Sequence, residues 1–414
     1  MFELRTTRPA AASAYAALVR LVEAAGTQKA PFVRVADRYA AIFLPVALAS
    51  AGLAWALSGD PVRALAVMVV ATPCPLILAA PIALVAGVSR AASIGVIIKG
   101  AAVIEQLGDA RSVLLHKTGT VTVGTPTVES VTTSGTFPED EVLRLAASLD
   151  QVSAHTVARA LVTEAHRRGL ALQVPEDVAE VPGAGIAGAV AGHRVEAGNS
   201  VWLRERGYGL DGITDGVAVA IDGLLAGVIM VGDPLRADAG DLVPALRRAG
   251  IRHVALVSGD HRERAEQIGA ALGVDRTYAD QSPEDKLALV TTLRANEDLQ
   301  PVIMVGDGVN EAPALAMANV GITLAGAGAT ISSETADAVI VSDRIERIVD
   351  AIRIGQRSLH IARQSVIFGI AMSLVAMAAA ALGFLPPVAG ALLQEGIDVA
   401  VILNALRARR PAPA

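Results

Sequence analysis

Four short polar segments carry side chains that could handle a phosphoryl group. His116-Lys117-Thr118-Gly119-Thr120 follows the apolar run "SVLL", and Ser258-Gly259-Asp260 follows "HVALV". Lys286 closes "SPEDK", and Gly306 to Leu315, "GDGVNEAPAL", follows "PVIMV". Together they offer hydroxyls, flexible glycine backbone, the carboxylates of Asp260 and Asp307, and the ammonium groups of Lys117 and Lys286. That inventory suits a phosphoryl group held with Mg²⁺. His116 is out of character, because an acid would make better chemical sense where the strand enters the turn. Imidazole can carry phosphate on nitrogen, but it is a poor ligand for Mg²⁺, which prefers oxygen.

The elements that must position these groups are legible around them. Short apolar runs ending in small or acidic residues read as buried parallel strands. Asp241 to Gly250 has helical periodicity and closes on glycine. Strands alternating with helices give a doubly wound α/β domain, and its ligands lie outside the carboxyl ends of the strands. From about Pro126 to Val231 the texture changes to alternating Gly, Val and Ala, as in "GAGIAGAVAGHRVEAG". That predicts an antiparallel sheet inserted between the first and second strands of the α/β domain.

The remainder is strongly apolar. The chain has 414 residues, 53% of them hydrophobic, with a net charge of −6 and one cysteine. No basic field points to nucleic acid, and one cysteine cannot form an internal disulfide framework. Tyr39 to Leu57 and Val62 to Val88 read as one pair of membrane spans, Val366 to Leu385 and Val388 to Leu403 as another. Arginines and Lys99 flank both pairs, which predicts cytosolic N- and C-termini.

The motif set resembles the P-type ATPases, cation pumps whose phosphorylation domain has the haloacid dehalogenase-like fold. The family pattern is DKTGT, TGD, PxxK and GDGxNDxPAL; here it reads HKTGT, SGD, PEDK and GDGVNEAPAL. "TPCPL" and the C-terminal "LLQEGIDVAVILNALR" resemble the heavy-metal branch. The resemblance implies membrane helical hairpins plus a haloacid dehalogenase-like domain with an inserted α+β nucleotide-binding domain. It implies a lead segment at 1–36, two membrane helices with the Cys-Pro motif at 37–90, and the phosphorylation domain at 91–126 and 232–353. The nucleotide-binding domain falls at 127–231, and two membrane helices with a cytosolic tail at 354–414.

The family's functional residues carry over by position, with ATP and Mg²⁺ as implied cofactors. Position 116 is the phosphorylated site, Lys117 neutralises the phosphoryl charge, and Thr118 offers its carbonyl to Mg²⁺. Ser258, Gly259 and Asp260 surround the phosphate, Lys286 meets the γ-phosphate, and Asp307, Asn310 and Glu311 lie on the Mg²⁺ side. His155, with Thr156 in place of the family's proline, and the glycines Gly183 and Gly185 stand for the nucleotide contacts. For His155 the alternative is a surface helix residue. A transition-metal cation is the implied substrate, with Cys74, Glu395 and Asp398 as candidate ligands. Prolines on both sides of Cys74 remove helical hydrogen bonds, and a thiolate there suits a soft metal. The alternatives are a small buried hydrophobe for Cys74 and helix–helix polar contacts for the two acids.

Three departures shape the functional expectation. The phosphorylated Asp is His116, which removes the carboxylate nucleophile. Glu311 replaces Asp, keeping the charge with one more methylene. No Thr-Gly-Glu occurs before Tyr39, and the first 38 residues are few for an actuator domain. The expectation is a catalytically impaired remnant of a heavy-metal pump in the plasma membrane. Two alternatives are a nucleotide-binding regulator of an intact pump and one half of a split pump.

Overall fold

The computed structural model describes residues 35–71, 74–210, 216–306, 309–324 and 335–410; the side chains of 35–41, 74–77 and 309 lie outside that description. The chain divides into two compact units, one up to Val121 and from Ala237 onward, the other Thr122–Arg236.

The first unit opens with helix α1, Val35–Ser58. Its small inward residues Ala47, Ala51 and Ala54 are buried, while Leu48, Leu53, Trp55 and Leu57 are exposed. Small residues inside and large apolar ones outside suit a helix that packs closely with neighbours in lipid. Helix α2, Pro61–Val70, starts with proline at its first position and the Asp60 carboxylate accepting the Val62 N–H at 2.9 Å. Helix α3 runs Cys74–Ala92. The single span expected over Val62 to Val88 is thus two helices. Pro73 and Pro75 lack the N–H that a continuous helix needs there. Strand β1, Val96–Ile98, and helix α4, Ala101–Gly108, lead to strand β2, Ser112–His116, which is buried throughout.

The second unit contains β3 (Thr127–Thr133), α5 (Glu139–Asp150), α6 (Thr156–Arg167), β4 (Glu176–Val181), β5 (Gly185–Val190), β6 (His193–Gly198), α7 (Ser200–Glu205), β7 (Val217–Ile221) and β8 (Leu224–Gly232). Its sheet has the order β3-β8-β7-β6-β5-β4, and every neighbouring pair is antiparallel. Helices α5 and α6 cover one face through Leu143, Leu149 and Leu161. Trp202 and Leu203 of α7 join a separate cluster with Ala218 and Ala220. The alternation of side chains along each strand separates the two clusters.

The chain then completes the first unit with α8 (Leu242–Arg248), β9 (His253–Val257), α9 (Arg262–Leu272), β10 (Arg276–Tyr278), α10 (Pro283–Ala295), β11 (Val302–Gly306), α11 (Ala312–Met317), β12 (Val320–Leu324), β13 (Ala338–Ile340), α12 (Arg347–Ala381) and α13 (Pro387–Ala405). The sheet order is β1-β13-β12-β11-β2-β9-β10, parallel except for β1 against β13. Val113 and Leu115 pack on one face with Ile104, Leu246 and Ile352. Leu114 and Val257 pack on the other with Val290 and Leu315. This is the predicted doubly wound sheet carrying an inserted α+β unit.

Helix α12 is one element of 35 residues, and the division expected between 353 and 354 falls inside it. Its first half belongs to the α/β core, where Gly355 meets Gly108 of α4: a Cβ on Gly355 would lie 2.7 Å from the Gly108 nitrogen. Arg363 also meets Asp109 at 3.0 Å. Among the described residues, the helix α12 and the helical segment Pro387–Arg409 are long and apolar enough to cross a membrane; the apolar stretches Ile42–Ser58, Pro61–Val70 and Leu78–Ala92, whose side chains are described, are shorter.

Candidate functional site

Strand β2 is flanked by two parallel neighbours, β9 and β11, which carry the other motif ends to the same edge of the sheet. His116 is the last residue of β2 and pairs in register with Val257, directly before Ser258. The turn after it runs Lys117–Val121, with Thr118 extended at ψ 130° and Gly119 at φ 68°. Glycine takes that left-handed backbone without steric cost.

Lys286 reaches the edge from the first turn of α10. Ser282 caps that helix: its hydroxyl accepts the Asp285 N–H at 3.2 Å, and the Asp285 carboxylate accepts the Ser282 N–H at 3.1 Å. Lys286 Nζ donates to Glu311 Oε1 at 2.6 Å and lies 3.3 Å from His116 Nε2. Glu311 Oε1 is itself 3.0 Å from His116 Nε2. Lys286 is 5% exposed and Glu311 3%, so solvent screens this group little. A second ion pair joins Lys117 to Asp260. Asp260 is fixed by its N–H donating to Ser258 Oγ at 3.1 Å and by its carbonyl accepting the Asp280 N–H at 2.9 Å.

The structure therefore brings His116, Lys117, Ser258, Asp260, Lys286 and Glu311 to one end of the sheet. Thr118 is exposed beside them, as is Asn310 next to Glu311. Gly259 lies between Ser258 and Asp260, and Asp307 falls outside the described residues. Two ammonium groups, a buried hydroxyl and turn backbone suit a phosphoryl group. Mg²⁺ fits these residues poorly. Glu311 is bonded to Lys286, Asp260 to Lys117, His116 offers nitrogen, and the oxygen donors left on that side among the described residues are the Thr118 carbonyl and the Asn310 amide. Among the described residues no group of three or more His, Cys, Asp or Glu is arranged to hold a metal ion.

In the second unit, His155 caps α6: its Nδ1 accepts the Val157 N–H at 3.3 Å and its ring is exposed. Gly183 lies in the turn between β4 and β5 at φ +75°. Its carbonyl accepts from Asn199 Nδ2 at 3.1 Å, and the Asn199 N–H donates to Ala184 O at 2.9 Å. Gly185 touches the Trp202 ring, where a Cβ would lie 2.4 Å from Cε3. Sequence reasoning missed Asn199, which ties this glycine turn to α7. It also missed Asp150, buried at the end of α5, whose carboxyl burial and the nearby Glu180 push up to about 7. Ser153 links this acid's surroundings to His155: its Oγ donates to Glu180 Oε1 at 2.7 Å and accepts the His155 N–H at 3.3 Å. The sequence signal was an acid closing a helix five positions before His155.

Among the apolar helices, Cys74 is the first residue of α3, and its side chain lies outside the description. The two candidate acids of α13 part company: Glu395 is exposed, whereas Asp398 is half-buried. Asp398 Oδ1 accepts from Gln394 Nε2 at 3.1 Å, and Gln394 Oε1 accepts from Ser373 Oγ at 3.4 Å.

Residues 111–319 match the family model described as haloacid dehalogenase-like hydrolase. The chain is 34% identical over 430 residues to a probable copper-exporting P-type ATPase V of Mycobacterium tuberculosis, covering 99% of this chain and 55% of that protein. It is 36% identical to a cation-transporting P-type ATPase B of Mycobacterium bovis, covering 98% and 56%. The chain thus spans about half the length of these relatives. The crystal structure of a zinc-transporting PIB-type ATPase in its E2.Pi state superposes with a TM-score of 0.88 at 31% identity, covering 97% of this chain and 68% of that one.

Proposed function

The chain belongs to the heavy-metal branch of the P-type ATPases, and from that premise we propose that it is the nucleotide-handling and metal-conducting part of a cation transporter whose phosphoryl-accepting position is silenced. P-type ATPases are membrane proteins that use ATP and Mg²⁺. In this reading Lys117, Ser258 and Asp260 of the first unit handle the phosphoryl group, and the second unit, with His155 and the turn of Gly183 and Gly185, is the nucleotide-binding domain.

The observation that carries the reading is His116 itself. It occupies the end of β2 without a carboxylate to attack phosphorus, and it lies within 3.0 Å of Glu311. No acyl phosphate can form on imidazole, and Glu311 and Lys286 neutralise one another beside it. Thr118, Asn310 and Asp307 are the remaining candidates on the Mg²⁺ side, and a nitrogen at position 116 weakens any such site. Incubation with labelled ATP tests this directly, with no acyl phosphate expected.

A transition-metal cation is the proposed cargo, with Cys74 and Asp398 as its ligands. Gln394 orients Asp398, and the exposure of Glu395 leaves it a weaker candidate. Basic residues such as Arg90, Arg407 and Arg410 at the helix ends favour cytosolic termini, and the family resemblance favours the plasma membrane. A second reading, a nucleotide-binding regulator of an intact pump or half of a split pump, draws on the intact Lys117–Asp260 pair. It requires nucleotide binding without turnover, and failure of an ATP analogue to bind would reject it.

A further inference from the structure

A crevice of about 370 Å³ lies between the last turns of α1, the first turn of α2 and the last turns of α12. Its apolar walls include Leu53 and Leu57 on α1 and Leu374, Met377 and Leu382 on α12. Among the described residues, Arg63 is the one cation lining it. The guanidinium lies against Gly383, where a Cβ would come within 3.0 Å of Arg63 Cζ. Gly383 has φ +88°, so the turn that seats the arginine favours glycine.

Arg63 is half-buried and forms no ion pair among the described residues. Asp60, the nearest acid in the chain, instead caps α2 through Val62. A cation with no acidic partner among the described residues, set in apolar surroundings, is costly and asks for an anion. Its place at the helix ends matches the depth of a lipid headgroup, and the α1 wall from Ser50 to Leu57 runs about 10 Å inward from there.

We propose that this crevice binds a membrane phospholipid, with its phosphate on Arg63 and one acyl chain along the walls of α1 and α12. Guanidinium matches phosphate oxygens with paired N–H donors. The leucine and methionine walls take a flexible hydrocarbon chain without burying a polar group. A peptide occupant would have to bring its own acid to Arg63. The proposal rests on the membrane reading of α12 and α13 and is independent of the chemistry at His116.

The test places the full chain in nanodiscs with a phospholipid carrying a diazirine midway along one acyl chain. After irradiation, labelled peptides are mapped by mass spectrometry. Adducts should concentrate at Leu53–Ser58 and Leu374–Leu382, above the level on the exposed α13 residues Leu392 and Val399. R63Q should lower the crevice adducts about tenfold, the worth of one charge-assisted hydrogen bond, and leave those on α13 unchanged. M377W should lower them with Arg63 intact. Crevice adducts unaffected by both variants, or no richer than on α13, would overturn the proposal and leave the membrane reading standing. Displacement of the adducts by inorganic phosphate would assign Arg63 to a free anion and overturn the lipid. A chain with no adduct on any apolar helix would overturn the proposal and the membrane reading together.

Discussion

Lys286 Nζ and Glu311 Oε1 form a buried ion pair at 2.6 Å, and His116 Nε2 lies within 3.3 Å of both partners. Glu311 is thus the carboxylate that answers the Lys286 ammonium beside His116. Replacing Glu311 by Gln leaves the Lys286 ammonium buried without a counter-charge among the described residues. E311Q is expected to destabilise the first unit by about 3 kcal/mol, read as a lowered denaturation midpoint of the full chain. An unchanged midpoint would show that the pair is not formed.

The Lys117–Asp260 pair is half of the proposed phosphate cradle. K117M should weaken binding of an ATP analogue about tenfold or more, the worth of one charge-assisted hydrogen bond. Fluorescence titration checks this. Equal affinity in the variant would remove Lys117 from the site.

Asp150 makes stability in the second unit depend on pH. Its carboxyl is raised from 3.8 to about 7, chiefly by burial. A raised carboxyl binds its proton more tightly when folded. Its stabilising contribution is therefore complete below about pH 4 and declines as pH rises to about 7, by a few kcal/mol at most. Hydrogen exchange over Glu139–Asp150 should quicken across that window in the native chain, and D150N should flatten the change. An identical pH response in D150N would assign it to another group.

The contact of Gly355 with Gly108 joins α12 to the α/β core at backbone distance. G355L overfills it, with an expected cost of about 1–3 kcal/mol. The loss should appear as a lower melting temperature, and G383A, at a separate turn, should leave the α4–α12 contact unaffected. Wild-type stability in G355L would mean that the two helices can separate freely.

Much of this architecture was legible because buried parallel strands appear as uninterrupted apolar runs. Ser112–Leu115, His253–Val257 and Val302–Val305 each deliver a polar end to one edge. The proline pair around Cys74 likewise announced a backbone break, although the apolar run hid that the span becomes two helices. The early start of α12 at Arg347 was hidden because that half is held by tertiary packing on α4 and its hydropathy is mixed. Charge identity did not reveal that Lys286 would choose Glu311, since that pairing depends on where α10 and the turn after β11 converge. The unlike fates of Glu395 and Asp398 follow from the buried stripe Gln394, Ile397, Val401 and Ala405. Asp398 sits beside that stripe, whereas Glu395 is rotated about 100° from Gln394.

The most direct measurement is phosphorylation of the full chain by γ-labelled ATP, followed by hydroxylamine. The native chain should carry no hydroxylamine-sensitive label, because residue 116 offers imidazole in place of a carboxylate. H116D should acquire it, with a smaller yield than the double variant H116D/E311D, because Glu311 otherwise competes with the new carboxylate for Lys286. Hydroxylamine-sensitive label on the native chain would contradict the account outright.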